Sequence, residues 1–372
     1  MQFIDLNAQQ SIVRDKIDQR IKKVLDHGQY IMGPEIDELE EKLAHYVNTK
    51  HCISCSSGTD ALLIPLMAMG IGPGDAVITT PFTYIATVEV IALLGATPIF
   101  CDIYDRTFNI NPSGLEQAYN DALSKNLQPK AIIPVDLFGL PARYRLIEEF
   151  ANKKNLFILE DAAQGFGGKI GDKLAGSFGE VAGTSFFPAK PLGCYGDGGA
   201  IFTNNDKLSE KIKSIRIHGG GKDKYDNDRI GINGRLDSIQ AAVLLEKIEI
   251  FNDELSQREK VAQYYTHNIH KMFTTPLIPS KYISSWAQYS ILIPDKLDRN
   301  KVIEDLYLQG IPSMIYYKTP VHLQKGYEKY GYSKGDFQIT ENISNRILSL
   351  PMHPYLEQDD QNHIISVLNK YS

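Results

Sequence analysis

The sequence predicts an α/β protein with a large, mostly parallel seven-stranded sheet and a smaller C-terminal α+β part. Short apolar segments between residues 51 and 203 alternate with segments of helical apolar spacing, which is typical of a parallel sheet covered by helices on both faces. Polar residues follow several of the apolar segments, where ligands of such sheets bind. The 372 residues are enough for a large core and two subdomains.

The elements follow from apolar periodicity in chain order. Residues 12–26 place Ile17, Ile21 and Val24 at helical spacing before His27-Gly28, and a second helix is predicted over 34–47. The strands that follow are predicted at 51–55, 76–80, 97–101, 131–135, 156–160, 182–186 and 199–203. Helices are predicted among them at 59–69, 84–94, 113–124 and 142–153.

The C-terminal third mixes short strands with helices. A long helix over 236–266, with Leu236, Ile239 and Val243 apolar, is expected to link it to the large sheet. Beyond it, strands are predicted at 289–293 and 312–317, and helices at 299–309, 340–348 and 357–370. We therefore predict a large domain over residues 1–250 and a small domain over 251–372.

Composition and charge argue against several classes of protein. A net charge of −6 provides no basic patch for nucleic acid or an anionic membrane. The first residues, 1–5, lack a basic and apolar signal segment, and no apolar run is long enough to span a bilayer. Four cysteines in a chain of this length give no disulfide framework. We therefore expect a cytoplasmic protein that binds neither nucleic acid nor membrane.

The pair Cys52 and Cys55 has the spacing of a redox or zinc motif. It also fits a buried strand, Cys52-Ile53-Ser54-Cys55, that enters a glycine turn. Because no second cysteine pair completes a zinc site, and because unpaired cysteine is often buried, the strand is the favoured interpretation.

One carboxylate and one lysine carry the strongest chemical signal. Asp161 follows a buried apolar strand, where a charge is costly unless it is paired. Lys190 follows Ser185 and an aromatic pair, and its apolar neighbours favour the neutral, nucleophilic amine. Pyridoxal 5′-phosphate (PLP) chemistry requires such a combination: a lysine that forms a Schiff base and a buried Asp that keeps the pyridine nitrogen protonated. Taken alone, Asp161 also fits a capping residue and Lys190 a solvated one.

Two further segments begin helices directly after strands. Gly58 and Thr59 lie where free backbone N–H groups and the helix dipole attract an anion, although an ordinary helix cap has the same pattern. Tyr84 is suited to stack on a cofactor ring, or to serve as a core or capping tyrosine. Gln164 follows Asp161 closely and is expected to approach the same ligand. These segments and those of Asp161 and Lys190 occur at successive strand ends along the chain, and together they favour a PLP site.

These residues resemble those of the DegT/DnrJ/EryC1/StrS group of PLP-dependent sugar aminotransferases, which has the fold-type-I, aspartate aminotransferase-like architecture. The resemblance covers nearly the whole chain. The matching motifs are Gly28 to Pro34, Ser57 to Leu62, Glu160 to Gln164, Ser185 to Lys190, Gly196 to Ala200, Gly231 to Leu236 and Leu348 to Pro351.

The resemblance implies roles for individual residues. Lys190 would bind the cofactor covalently and move protons, Asp161 would partner the pyridine nitrogen, and Gln164 would approach the ring hydroxyl. The phosphate would be held by Gly58, Thr59 and Ser185, and Tyr84 would stack on the ring. Asn233 would reach the phosphate from a neighbouring subunit. The resemblance therefore implies a homodimer with a shared active site.

Within the group, the chain is most similar to enzymes that aminate UDP-2-acetamido-2-deoxy-3-keto-D-glucuronate for lipopolysaccharide O-antigen. L-Glutamate would give the amino group and leave as 2-oxoglutarate. Arg235 would meet the sugar carboxylate in a bidentate pair. The other residues expected near the sugar are Tyr30, Tyr316, Tyr317 and His322, although a structural role for His322 is equally open. The chain departs from the better-known glucuronate enzymes at Tyr316, where they have histidine.

The residues leave other substrates and one other class open. A 4-keto UDP-sugar or a 3-keto-6-deoxy dTDP-sugar would not need a carboxylate partner such as Arg235. A catalytically silent regulator with the same fold is the alternative of a different class, and the presence of Lys190 argues against it.

Overall fold

The computed structural model describes residues 1–221, 223 and 225–372. The α-helices are α1 (Leu6–His27), α2 (Pro34–Val47), α3 (Gly58–Ala68), α4 (Ala86–Leu93), α5 (Leu115–Ser124), α6 (Tyr144–Lys154), α7 (Asp206–Arg216), α8 (Ser238–Asn268), α9 (Arg299–Leu308), α10 (Gln338–Arg346) and α11 (Gln358–Asn369). The strands are β1 (His51–Cys55), β2 (Asp75–Thr79), β3 (Thr97–Phe100), β4 (Gln128–Ile132), β5 (Phe157–Asp161), β6 (Lys169–Ile170), β7 (Lys173–Leu174), β8 (Val181–Ser185), β9 (Gly199–Thr203), β10 (Tyr282–Ile283), β11 (Tyr289–Leu292) and β12 (Ile347–Leu350).

The main sheet has seven strands in the order β1-β9-β8-β5-β4-β2-β3. Strand β9 is antiparallel to both of its neighbours, and the other paired strands are parallel. The predicted fold class, a large and mostly parallel sheet, is therefore confirmed. Because β1, β8, β5 and β2 all point the same way, their carboxyl ends lie along one edge, where side chains from distant parts of the sequence meet.

Helix α8 joins two apolar cores. Its first half contributes Leu244 and Leu245 to a core shared with α2 and β9, and its second half contributes Val261 and Tyr265 to a C-terminal core around β11 and β12. Residue 250, the predicted end of the large domain, falls inside this continuous helix. The division into two domains therefore stays a prediction.

Some element boundaries differ from the prediction. Strand β4 begins at Gln128, three residues before the predicted 131, because its polar first residues are exposed at the end of the sheet and lack an apolar signal. The helix predicted over 340–348 ends at Arg346, and the chain continues as β12, which pairs with β11. The strand predicted over 312–317 is wrong: that segment forms one isolated bridge, between Met314 and Ser349.

Helix α7 and the short hairpin of β6 and β7 were not predicted, although α7 carried a readable signal. Asn205 caps its first turn by accepting from the N–H of Leu208, and Leu208, Ile212 and Ile215 follow at helical spacing.

The predicted strand around Cys52 and Cys55 is confirmed, since both thiols are buried on β1. Within the described ranges, no helix is long and apolar enough to cross a membrane.

Candidate active site

Asp161 is the last residue of β5 and is buried at the edge where the strands end. The hydroxyl of Thr87 donates to Asp161 Oδ2 at 2.7 Å, and the N–H of Ala163 donates to Oδ1 at 3.2 Å. Burial raises the pKa of Asp161, whereas these two hydrogen bonds and the charge of Lys190 lower it. The carboxylate is thus oriented by neutral donors and suited to a cationic partner.

Lys190 follows β8, the strand next to β5 in the sheet. Its backbone N–H donates to the carbonyl of Phe187 at 2.8 Å, which closes a tight turn after the strand. Burial lowers the pKa of the Lys190 amine, and the negative charge of Asp161 opposes this shift. The adjacent parallel strands therefore bring an acid and a reactive amine within electrostatic reach of each other. A lowered pKa favours the neutral amine, which is the nucleophilic form.

Gly58 and Ser185 form a cradle at the start of α3. Ser57 caps the helix by accepting from the N–H of Asp60 at 3.1 Å. A Cβ atom at Gly58 would lie 2.5 Å from Cβ and 2.8 Å from Oγ of Ser185, so only glycine fits at this position. Thr59 follows on the first turn of the same helix. A helix N-terminus with a bare glycine and nearby hydroxyls is suited to a phosphate.

Gln164 and Tyr317 connect the sheet edge to the C-terminal part. Gln164 Nε2 donates to Tyr317 Oη at 2.9 Å, and Gln164 Oε1 accepts from the N–H of Phe138 at 2.7 Å. The Tyr317 ring contacts Phe82 edge-on, at a centroid distance of 6.0 Å. The ring of Tyr84, which is 56% exposed, lies 6.5 Å from that of Tyr317. Three predicted residues, Gln164, Tyr317 and Tyr84, are therefore grouped at one end of the site.

Asn233 and Arg235 contact each other. Arg235 Nε and Nη2 donate to Asn233 Oδ1 at 2.9 and 2.6 Å. The carbonyl of Gly234 between them accepts from the N–H of Ser56 at 3.0 Å, which ties this segment to the loop before Gly58. The backbone of this segment therefore lies next to the loop that leads into the phosphate cradle.

Tyr30 is exposed and lies near the same region. Its carbonyl accepts from the N–H of Ser238 at 2.9 Å, and Ile31 forms an isolated bridge with Asp237. Tyr30 is thus held at the start of α8. This helix begins at Ser238, three residues after Arg235. Tyr316 is half-buried and packs edge-on against Phe3, with ring centroids 6.4 Å apart.

His322 is buried among apolar side chains. Its ring is buried in an apolar cluster, 4.8 Å from the ring of Phe337 and 6.4 Å from that of Phe100. Its Nε2 lies 3.1 Å from an oxygen of Glu341. The N–H of the preceding Val321 donates to the carbonyl of Pro81. These surroundings favour the structural role that the sequence left open for His322.

Two residues that sequence reasoning did not identify contact this site. Thr87 lies one helical turn after Tyr84, and its role depends on Asp161, which is distant in sequence. Lys247 on α8 donates to the carbonyl of Gly193 at 2.8 Å, in the loop that follows Lys190. Nothing in the local sequence of either residue indicates its partner.

No cluster of three or more His, Cys, Asp or Glu side chains able to hold a metal ion occurs among residues 1–221, 223 and 225–372.

Comparisons with known proteins extend this picture. Residues 11–369 match the model of the DegT/DnrJ/EryC1/StrS aminotransferase family. The chain is 46% identical over 358 residues to the UDP-2-acetamido-2-deoxy-3-oxo-D-glucuronate aminotransferase of Pseudomonas aeruginosa, covering 96% of each chain. It is 49% identical to a crystal structure of a DegT DnrJ EryC1 StrS aminotransferase from Brucella abortus, with a TM-score of 0.97 and coverage of 100% of this chain and 99% of that one.

A third comparison concerns the cofactor. A crystal structure of ntda from Bacillus subtilis with bound cofactor PMP is 27% identical, with a TM-score of 0.91 and coverage of 100% of this chain and 84% of that one. The present chain fits such a group. Its Gly58 cradle suits a phosphate, its buried Asp161 suits a protonated ring nitrogen, and its Lys190 supplies the amine.

Proposed function

Because the chain belongs to the DegT/DnrJ/EryC1/StrS aminotransferase family, and is therefore a PLP-dependent sugar transaminase, we propose that it transfers the amino group of L-glutamate to the 3-keto position of a UDP-linked N-acetylated hexuluronate. The observation that carries the chemistry is the placement of Asp161 at the end of β5 and of Lys190 in the loop after the adjacent strand β8. The choice of sugar rests on the 46% identity to the Pseudomonas aeruginosa enzyme. The product would serve lipopolysaccharide O-antigen synthesis.

Each residue of the site has a separate role in the proposed reaction. The bound cofactor supplies an electron-withdrawing ring that stabilises negative charge on the carbon next to the transferred amine. Asp161 accepts a hydrogen bond from the protonated ring nitrogen. Lys190 holds the cofactor covalently at rest, and its freed neutral Nζ takes and returns the proton during amino transfer. Gln164, which is hydrogen-bonded to Tyr317, would contact the hydroxyl of the cofactor ring.

The phosphate and the faces of the ring are held by the remaining residues. Backbone N–H groups at Gly58 and Thr59, together with the hydroxyl of Ser185, bind the phosphate. Tyr84 has an exposed ring that is available for stacking on the cofactor.

Arg235 is the proposed partner of the sugar carboxylate. A guanidinium has five N–H donors, of which Asn233 uses the one on Nε and one on Nη2. Nη1 and the second hydrogen of Nη2 remain for a bidentate pair with a carboxylate. Tyr30, Tyr316 and Tyr317 are the further residues proposed to contact the sugar.

We also propose that the protein is a homodimer with a shared site, in which Asn233 reaches the phosphate of the neighbouring subunit. Large apolar side chains are exposed on the loops around the site: Phe187 is 52% and Ile230 is 88% exposed. We propose that these two side chains pack against the neighbouring subunit. A reducing cytoplasm suits the four free cysteines, and we propose that location.

The proposal is tested by a coupled assay with purified protein. Glutamate and UDP-3-keto-N-acetylglucosaminuronate, made in situ because it is labile, are supplied, and the amino sugar is detected by mass spectrometry. Product formation supports the reaction, the uronate and the ketone position together. If glutamate still changes the visible absorbance of the bound cofactor but no product forms, the sugar is wrong, and 4-keto UDP-sugars and 3-keto-6-deoxy dTDP-sugars are tested next. Absence of both signals, equal to Lys190→Ala, would support a silent regulator.

The replacement Arg235→Ala tests the carboxylate. We expect kcat/KM for the uronate to fall roughly 100-fold, as for the loss of a hydrogen-bonded charge pair, while the half-reaction with glutamate is retained. Arg145→Ala is the matched control, because Arg145 pairs with Glu149 on the exposed face of α6. Equal activity of both variants would point to a sugar without a carboxylate, as the tyrosine at position 316 in place of histidine would also suggest.

A further inference from the structure

Helix α8 contacts the loop that carries the reactive lysine. This loop, residues 190–198, is attached to Phe186 at its middle and at its last residue. The N–H of Cys194 donates to the carbonyl of Phe186, and the N–H of Phe186 donates to the carbonyl of Gly198, both at 2.8 Å. The loop is rich in glycine, at positions 193, 196 and 198. Glycine residues lose the most conformational freedom on ordering, so a loop of this composition needs contacts that hold it.

The turn around Gly193 has no free space. A Cβ atom at Gly193 would lie 2.6 Å from the carbonyl oxygen of Pro188 and 2.7 Å from that of Phe187. The backbone at Gly193 therefore packs directly on the turn that leads into Lys190, and any shift at Gly193 is passed to the lysine.

Lys247 holds this turn from α8. Its side chain is fully buried, and Nζ donates to the carbonyl of Gly193 at 2.8 Å. The same ammonium lies 4.3 Å from the centroid of the Tyr195 ring. Burial lowers the pKa of Lys247 to about 8, so the protein bears a cost to keep this group inside. The negative charge of Glu254, the Gly193 carbonyl and the aromatic face of Tyr195 compensate that cost.

Gln240 holds the next part of the loop. Its Oε1 accepts from the N–H of Tyr195 at 2.8 Å, and its Nε2 lies 3.4 Å from the carbonyl of the same residue. Positions 240 and 247 are seven residues apart, which places them on one face of a helix, two turns from each other. The two side chains therefore contact three backbone groups of the loop from one rigid element.

We propose that Lys247 and Gln240 act as a clamp on α8 that fixes the backbone of residues 190–198 and thereby orients Lys190. They are positioning residues, since they act on the reactive amine through the loop. The importance of the clamp for turnover rests on the proposed aminotransferase function. The effect of the clamp on the order of residues 190–198 is independent of that function.

The first test uses cofactor-free protein and needs no substrate. Lys247→Met keeps the length of the side chain but cannot donate, and Gln240→Met removes the contacts to Tyr195. We expect amide hydrogen exchange in residues 187–198 to become roughly tenfold faster or more in each variant, as for the loss of one hydrogen bond to the backbone. Exchange in the β1 to β5 part of the sheet should stay unchanged.

The second test measures cofactor binding and turnover. A less ordered loop should raise the Kd for PLP, and it should lower kcat roughly 10- to 100-fold with a smaller change in KM, because the reactive amine is misplaced. Lys211→Met is the matched control. Lys211 also donates to a backbone carbonyl, that of Ala68 at 3.4 Å. This contact joins α7 to α3 and involves neither α8 nor residues 190–198.

Unchanged exchange in residues 187–198 for both Lys247→Met and Gln240→Met would overturn the clamp. If Lys247→Met does not fold, the Gln240→Met result alone decides. If exchange rises but no wild-type turnover is found with any keto sugar, the clamp stands and the proposed function fails. The same changes in Lys211→Met as in Lys247→Met would show a general loss of stability and would also overturn the clamp.

Discussion

Asp161 depends on a hydroxyl from the first turn of helix α4. Thr87 donates to its carboxylate at 2.7 Å, and Thr83 Oγ1 lies 2.9 Å from Thr87 Oγ1. This short chain of hydroxyls leaves the carboxylate one fixed orientation. It also opposes the rise in the Asp161 pKa that burial causes.

Thr87→Val removes the donor at nearly constant volume. A hydrogen bond to a charged group contributes about 1.5–3 kcal/mol, so its loss should raise the pKa of Asp161 further. We expect weaker PLP binding and an acid limb of the pH–activity profile that moves to higher pH. Thr87→Ser keeps the hydroxyl and serves as the control. Identical cofactor affinity and pH profiles for the valine and serine variants would contradict this role.

The sequence could identify Asp161 and Lys190 because each lies in a local motif, but it could not identify their supporting residues. Nor could it identify the partners of Glu160, the residue before Asp161. Its two carboxylate oxygens accept from the N–H groups of Gly176 and Phe178, both at 2.7 Å. It also neighbours the buried Asp136, whose pKa burial raises to about 7. Such pairs form only when the chain folds, because their members are distant in sequence.

At the scale of elements, the start of α3 is the most restricted position. Gly58→Ala would place a methyl group 2.5 Å from Ser185 Cβ, and overpacking of this kind costs about 1–3 kcal/mol. We expect the Kd for PLP to rise about tenfold or more, with a lower Tm. Gly326→Ala is the control, since no atom lies within 4 Å of its added Cβ. PLP titrations that do not distinguish the two variants would argue against the cradle.

Element prediction succeeded where the apolar period was unambiguous and failed where tertiary pairing decided. The strand ends at residues 55, 161 and 185, which carry the site, were predicted to within one residue. The apolar run 347–350 is compatible with a helix or a strand, and β11 decides the outcome by pairing with it and by a hydrogen bond between the hydroxyls of Ser290 and Ser349 at 2.7 Å.

On the scale of the whole molecule, the N-terminal segment is attached to the C-terminal core. The carbonyl of Phe3 accepts from the N–H of Met352 at 3.2 Å, and the next residue, His353, is buried. Burial, aided by the charge of Arg258, lowers the pKa of His353 to about 4. The N-terminal segment is thus attached next to a histidine whose surroundings disfavour the charged imidazole.

The lowered pKa of His353 predicts that the protein loses stability in acid. Because the unfolded state binds the proton at higher pH than the folded state, the His353 contribution is complete above about pH 6.5 and is lost as pH falls towards 4. The full effect is roughly 3 kcal/mol. Urea denaturation at pH 7 and pH 4.5 should show a larger loss for the wild type than for His353→Gln. Parallel losses in the two proteins would rule the linkage out.

The two halves of the site have different origins. Asp161 and Lys190 come from β5 and from the loop after β8, whereas Tyr316 and Tyr317 come from the segment that bridges to β12. The tyrosines reach the site across an apolar cluster around Phe82 and are not part of the main sheet. Residues 312–317 lie outside β5 and β8, so mutations there change no residue of these two strands. We expect protein lineages with this architecture to evolve a different sugar specificity through substitutions in residues 312–317, while they inherit the same amino-transfer chemistry.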